Sequence, residues 1–191
     1  PLQGVSGYAK LLEKAPLTGQ QQEWLRRLGS ESRQLTRLIR QMLDYSHLRK
    51  GEAAEEFEFV SPRELAREAV EALEPAAREK GISIDFASDA QLPGRVWVDA
   101  VRLRQILGNL LSNAVRYTSR GGVTLRLAYE HPGRLRGEVE DTGIGMSGEE
   151  QRRLLEPFAR GRNATRCERD GLGLGLAIVR EATARHGGEL S

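Results

Sequence analysis

Only one cysteine, Cys167, stands in the 191 residues. That excludes an internal disulfide and fits a reducing compartment. Long apolar runs are missing too. None approaches the roughly 18 residues that a bilayer-spanning helix needs, and no signal peptide is visible. Histidine is scarce: His47, His131 and His186 lie far apart and show no metal-ligand spacing, which argues against a zinc site. Nor is there an excess of charge of one sign. The 29 basic residues nearly balance the 27 acidic ones, and the net charge of +2 gives no reason to expect nucleic acid as a partner. What is left, 39% hydrophobic and 29% charged, describes a globular chain of one large domain or two small ones.

The first part of the chain reads as two helices. Leu2, Val5, Ala9 and Leu12 share one face over residues 1–15, and Pro16-Leu-Thr-Gly19 breaks the pattern. A long amphipathic helix follows over 20–49. Trp24, Leu28, Leu35, Leu38, Met42 and Tyr45 recur in alternating steps of three and four, interrupted at Glu31. Such a narrow seam belongs in a bundle or coiled coil. A lone helical hairpin buries too little surface to be stable, so two copies pairing into a four-helix bundle is the expected solution. His47, beside Arg49 and Lys50, reads as part of a cationic last turn that favours the helix dipole.

Residues 51–56 form a polar linker and mark the domain boundary, with 1–50 before it and 57–191 after. The linker is the expected hinge. Beyond it, Phe57–Val60 alternates as a short strand. Ser61, Pro62 and Glu64 form a capping box for a helix running to Lys80, closed by Gly81. Strands are expected at 82–86 and 95–98, and Asp99 caps a helix over 100–117. On that helix Leu103, Leu107, Leu110, Leu111 and Ala114 share one face. Arg102, Asn109, Asn113 and Arg116 share the neighbouring one, with Tyr117 at its edge. Strands 123–129 and 135–140 form an antiparallel pair with His131 in the turn. Ser147 caps a short helix over 148–155, residues 160–169 show no periodicity, and 174–186 is helical. Residues 189–191 read as the start of a strand.

Three stretches carry chemistry. Asn109-Leu-Leu-Ser-Asn113, Asp141-Thr-Gly-Ile-Gly-Met146 and Gly171-Leu-Gly-Leu-Gly-Leu176 follow one another at intervals of about thirty residues. A carboxylate accepts hydrogen bonds and donates none, so Asp141 suits the exocyclic amine of adenine. Guanine would present a carbonyl there. Gly143 and Gly145 permit positive φ and close approach of a ligand. Gly171, Gly173 and Gly175 precede a helix, whose amides suit phosphate. No Gly-Lys-Ser/Thr follows, which excludes a Walker loop, and the preceding loop fits a Rossmann turn poorly. An asparagine carbonyl oxygen is a hard ligand suited to Mg²⁺, and Arg116 is placed to neutralise phosphate charge.

In these residues the domain from about 57 onward resembles the ATP-binding domain of sensor histidine kinases, the GHKL or Bergerat fold. Asn109–Tyr117 is similar to the family's N box, Asp141–Gly145 to its G1 box, Glu156-Pro-Phe158 to its F box and Gly171–Leu176 to its G2 box. The hairpin resembles the family's dimerisation and phosphotransfer domain. The resemblance implies an α+β chain: a helical hairpin forming a dimeric four-helix bundle, then an α/β sandwich of mixed sheet with three helices on one face. It implies ATP and Mg²⁺ as cofactors, with Asn113 as the metal ligand and Asn109 nearby. It implies Asp141 as the adenine reader and 159–170 as a lid over ATP. The implied ATP site comprises Asn109, Asn113, Arg116, Tyr117, Asp141, Gly143, Gly145, Phe158, Arg160, Gly171, Gly173, Leu174 and Gly175, with Arg160 in reach of the γ-phosphate.

The chain departs from the family's pattern in places. The family's phosphoacceptor histidine lies in a His-Glu-x-x-Thr-Pro-Leu type motif, and Pro1-Leu2 looks like its last two residues. The acceptor is therefore expected just before residue 1, in a longer kinase of which this is a part, hybrid sensors included. Arg116 stands where the family usually has lysine. The lid is short and arginine-rich, with Arg160, Arg162, Arg166 and Arg169 against Glu168 and Asp170. The function expected is the kinase core of a two-component sensor, the cytoplasmic portion of a protein anchored in a bacterial inner membrane. Its γ-phosphoryl passes to a histidine of the dimerisation helix and then to an aspartate of a response-regulator receiver domain. The expected partners are a second copy through the hairpin, a receiver domain, and for the alternative, a kinase-like regulatory module, a different histidine kinase. A chaperone-like or mismatch-repair ATPase is a third reading. The hairpin and the lack of an acidic residue in the N-box stretch argue against it.

Overall fold

A computed structural model describes residues 2–12, 15–50, 56–130, 133–159 and 173–191. Of the positions singled out above, Pro1, the linker residues 51–55, His131, Arg160 with the rest of the lid to 170, Cys167 and Gly171 lie outside them. The chain divides into two compact units, residues 1–46 and 47–191. Among the described residues, no helix is long and apolar enough to cross a membrane.

The first unit holds helix α1 (Leu2–Leu12) and most of α2 (Gly19–Lys50). The start of α2 is built by a signal that the breaker reading passes over. Thr18 Oγ1 accepts from the backbone N–H of Gln21 at 3.4 Å, and Gln21 Oε1 accepts from the N–H of Thr18 at 2.9 Å. This reciprocal cap makes Gly19 the first helical residue. Along α2 the seam lies open within the single chain: Trp24, Leu28, Leu35 and Met42 are exposed, Trp24 by 59%.

The second unit is a sandwich. Strands β1 (Phe57–Val60) and β3 (Val96–Asp99) pair antiparallel as a small ribbon. Strands β2 (Ser83–Ser88), β4 (Gly122–Glu130) and β5 (Arg134–Asp141) form a mixed sheet in the order β2-β4-β5, parallel then antiparallel. Alternation decides which face is covered. Val123, Leu125 and Leu127 of β4 are buried, and Arg126 between them is exposed. On the open face Arg126 hydrogen-bonds Glu140, which holds its guanidinium still more firmly protonated. The covered face meets helices α3 (Pro62–Glu71), α4 (Glu74–Lys80) and α5 (Ala100–Tyr117), which share one core with it. Helix α7 (Gly175–Arg185) packs on α5 with Ala177, Ile178, Val179 and Ala182 fully buried. So α5 is the central element, between the sheet and α7.

Three expectations need correction. The single helix expected over 62–80 is two, α3 and α4. Pro75 is the cause: it has no N–H to give to the carbonyl four residues back, and its ring crowds that carbonyl. The chain turns through Ala72-Leu73 and restarts with Pro75 in the first turn of α4. The proposed capping box at Ser61 is present as one half, Ser61 Oγ accepting from Glu64 N–H at 3.3 Å. Residues 189–191 make no ladder. Glu189 pairs instead with Arg134 at 3.3 Å. The short helix α6 (Gly148–Leu154) does carry its full capping box, between Ser147 and Glu150.

At its far end α7 is tied down. Arg185 donates from its guanidinium to the carbonyl of Leu48, the fully buried residue in the last turn of α2. Neighbouring His186 accepts from the Asp99 N–H at Nε2, 3.3 Å, and its Nδ1 meets Ala182 O at 2.9 Å. Its ring lies 5.3 Å from that of Phe57. His186 thus ties the end of α7 to the start of α5 through Nε2 and packs its ring on β1, while Nδ1 faces its own helix. His47 is exposed in the cationic last turn of α2.

Candidate functional site

The polar stripe of α5 meets the ends of two other elements. Asp99 starts the helix, buried, accepting from the Arg102 N–H at 3.0 Å. Eighteen residues of helix then bring Asn109 and Asn113 to one side, both half-buried. Asn109 Nδ2 donates to Gln105 O at 2.9 Å, which leaves Oδ1 as an open acceptor. The start of α7 lies directly opposite. A Cβ placed on Gly175 would sit 3.4 Å from Asn109 Oδ1 and 3.7 Å from Asn113 Nδ2. Among the described residues no side chain caps α7, so its first amides lack an internal partner.

Asp141 ends β5 and is exposed. Its Oδ1 accepts from the Gly143 N–H at 2.8 Å. Oδ2 has no partner among the described residues. Gly143 brings this turn hard against α5: a Cβ there would sit 2.5 Å from Tyr117 O and 2.7 Å from Asp141 Oδ1. Gly145 is required for a different reason, its φ of +66 with nothing within 4 Å of a built Cβ. Thr142 secures the turn from behind. Its hydroxyl donates to Arg120 O at 2.7 Å and accepts from Gly122 N–H at 3.0 Å.

Phe158 and Gly173 form a second junction. The Phe158 N–H donates to Gly173 O at 3.1 Å. Gly173 has φ of +68, and a Cβ on it would meet Ala159 O at 2.3 Å. Phe158 itself has φ of +65, an uncommon conformation for a bulky residue and one that concentrates at functional sites. Leu174 is buried beneath the start of α7. Around the opening Ile144, Met146 and Phe158 are 59%, 54% and 57% exposed, apolar surface of the kind that a flat aromatic ligand covers. Arg116 is half-buried, and its guanidinium has no partner among the described residues.

The structure therefore brings together Asn109, Asn113, Arg116, Tyr117, Asp141, Gly143 and Gly145 with Phe158, Gly173, Leu174 and Gly175. A depression on the open face of the sheet, lined by Arg126, Arg136 and Glu138 among others, shares no residue with them. Two functional supports escaped the sequence reading. One is Thr142, whose role depends on Arg120 and Gly122 lying across a strand pair. The other is Lys80, which donates from Nζ to the carbonyls of Val115 at 2.8 Å, Arg116 at 2.6 Å and Thr118 at 3.4 Å. Thr142 stands inside the Asp141–Gly145 motif, but nothing local names its partners, and Lys80 has no periodic or motif signal. The pattern Lys80-Gly81 marks only the end of a helix.

Comparison with known proteins gives a consistent picture. Residues 1–51 match the family described as the His Kinase A (phospho-acceptor) domain. Residues 98–191 match the family of histidine kinase-, DNA gyrase B- and HSP90-like ATPases. The chain is 32% identical over 194 residues to the sensor protein GacS of Pseudomonas syringae pv. syringae, covering 100% of this chain and 21% of that protein. It is 35% identical over 196 residues to the circadian input-output histidine kinase CikA of Synechococcus elongatus, covering 100% and 26%. The chain thus spans about a fifth to a quarter of the length of these curated relatives. Among solved structures, full-length ShkA in complex with AMPPNP superposes with a TM-score of 0.85 at 37% identity, covering 98% of this chain and 38% of that one.

Proposed function

We infer that this chain, which belongs to the sensor histidine kinase family, is a kinase core that binds ATP at the junction of α5, the Asp141 turn and the start of α7. One observation carries the reading. Asp141 has one oxygen held by Gly143 N–H and the other open, at the mouth of a site walled by Tyr117 and rimmed with exposed apolar side chains. The open oxygen accepts from the amine of adenine. The purine covers Ile144 and Met146, and the uncapped amides of α7 with Arg116 receive the phosphates. The complex of the relative ShkA with AMPPNP, an ATP analogue, supports this.

The residues present fit Mg²⁺. Asn109 Oδ1 is left free by the bond from Nδ2 to Gln105 and faces the start of α7; Asn113 presents Nδ2 there, and a turn of its amide about χ2 would bring its own hard oxygen to the same place. Mg²⁺ bound there supplies charge neutralisation on the phosphates. Asn113 is the ligand proposed, with Asn109 supporting it. Transfer of the γ-phosphoryl to a histidine of the phosphotransfer hairpin depends on positioning and on this neutralisation. The phosphoryl then passes to an aspartate of a receiver domain. Titration with a fluorescent ATP analogue, with and without Mg²⁺, tests the reading, and no saturable binding would end it. In Asn113→Ala the gain that Mg²⁺ gives should be lost, about ten- to a hundredfold in affinity. A Mg²⁺ effect equal to that of the parent protein rejects Asn113 as the ligand.

The exposed seam of α2 supports a homodimer through the hairpin; a different histidine kinase would use the same surface. Burying one leucine is worth roughly 1.5–3 kcal/mol, and a dimer buries each seam position twice. Leu35→Glu should therefore raise the dimer dissociation constant at least about a hundredfold, read by light scattering across a dilution series. Persistence of the dimer at the lowest concentrations would exclude the seam.

A further inference from the structure

Lys80 closes α4, and its ammonium reaches out of that helix to another one. It has three hydrogens to donate, and they meet the carbonyls of Val115, Arg116 and Thr118. These belong to the last turn of α5 and the residue after it, where a helix leaves its carbonyls without internal partners and carries the negative end of its dipole. Lys80 as a whole is exposed, and the bonds to α5 are made by its charged head. On the other side of the same turn, Tyr117 O lies 2.5 Å from where a Cβ on Gly143 would stand. The final turn of α5 is thus fastened between Lys80 and the turn that follows Asp141. That turn of helix carries Arg116 and Tyr117.

We propose that Lys80 is a positioning residue for nucleotide binding: it touches no ligand, and it holds the last turn of α5 where the Asp141 turn can close against it. The inference rests on the reading of Asp141 as the adenine acceptor. Without the three bonds, the orphan carbonyls of α5 turn toward water and the helix end samples other positions. If only about a tenth of the molecules hold the competent arrangement, the apparent affinity falls about tenfold.

The test compares Lys80→Met, Lys80→Arg and Arg78→Met. Arg78 lies on the same helix, and its side chain has no partner among the described residues. Circular dichroism first fixes a temperature at which every variant is fully folded. Dissociation constants of fluorescent ATP and ADP analogues are then measured. The expected result is an approximately tenfold loss for both nucleotides in Lys80→Met, partial recovery in Lys80→Arg and no change in Arg78→Met. Unchanged binding in Lys80→Met overturns the proposal. So does an equal loss in Arg78→Met, which would mean a general effect of positive charge. A loss confined to ATP overturns it too, since Lys80 would then act on the γ-phosphate. Asp141→Asn is measured alongside. If it abolishes binding while Lys80→Met does not weaken it, the adenine reading stands and the Lys80 inference alone falls. If Asp141→Asn binds normally, both fall.

Discussion

Replacing Asp141 with asparagine should weaken ATP binding by at least about a hundredfold, which is roughly 2.7 kcal/mol. The substitution changes one atom, and the structure says what that atom meets. Gly143 N–H needs an acceptor, and Oδ1 supplies it at 2.8 Å. In Asp141→Asn the amide oxygen must take that bond, because an NH₂ placed there would oppose an N–H. The amide nitrogen is then turned to the open side. Two donors face each other wherever an adenine amine approaches, and neither is satisfied. Asp141 is exposed, so the melting temperature should barely move. Calorimetric titration of ATP checks the affinity, and an unchanged dissociation constant in a folded variant rejects Asp141 as the base-reading group.

Gly143→Ala should be nearly as damaging by a different route. Gly143 does not have a positive φ, so alanine suffers no conformational penalty there. The damage is steric: the new Cβ would stand 2.5 Å from Tyr117 O and 2.9 Å from Tyr117 C. Those are backbone atoms at a helix end and cannot swing aside as a side chain can. The Asp141 turn must lift off α5, and the two walls of the site separate. Displacement of about 1 Å at a binding site can cost a hundredfold, and that is the loss expected in ATP affinity. The control is Gly145→Ala. Its φ of +66 costs alanine roughly 1–2 kcal/mol, but nothing stands within 4 Å, so its loss should be the smaller one. Equal affinities in Gly143→Ala and the parent would show that the junction is not needed.

Sequence reading succeeded where the determinant is local. Asp99 as the cap of α5, the asparagine stripe beside a core face of Leu107, Leu111 and Ala114, and the capping box at Ser147 each depend on residues within one or two turns. It failed where two local signals compete. Pro75 was absorbed into a continuing apolar pattern, and Gly19 outweighed the Thr18–Gln21 cap. The site was legible as a set of residue types, but not the separate reasons for each glycine. Gly143 answers a contact with Tyr117, Gly173 a contact with Ala159 and a positive φ, and Gly175 neither, since a Cβ there would make only ordinary contacts. Lys80 was invisible because its three acceptors lie 35 to 38 residues away. Only folding brings them together.

The anchorage of α7 bears on how such a chain can move. Its first turn lies beside Asn109, and its last turn grips Leu48 through Arg185. A helix is stiff over eleven residues, so whatever shifts its first turn is felt at Leu48 with little loss. It also means that the last turn of α2 travels with the ATP-binding unit, as the division of the chain after Ser46 reflects. Bending confined to residues 51–56 would leave Leu48 attached to that unit. The first turn of α7 and the last turn of α2 are thus two ends of one connected piece, joined at the Leu48 carbonyl.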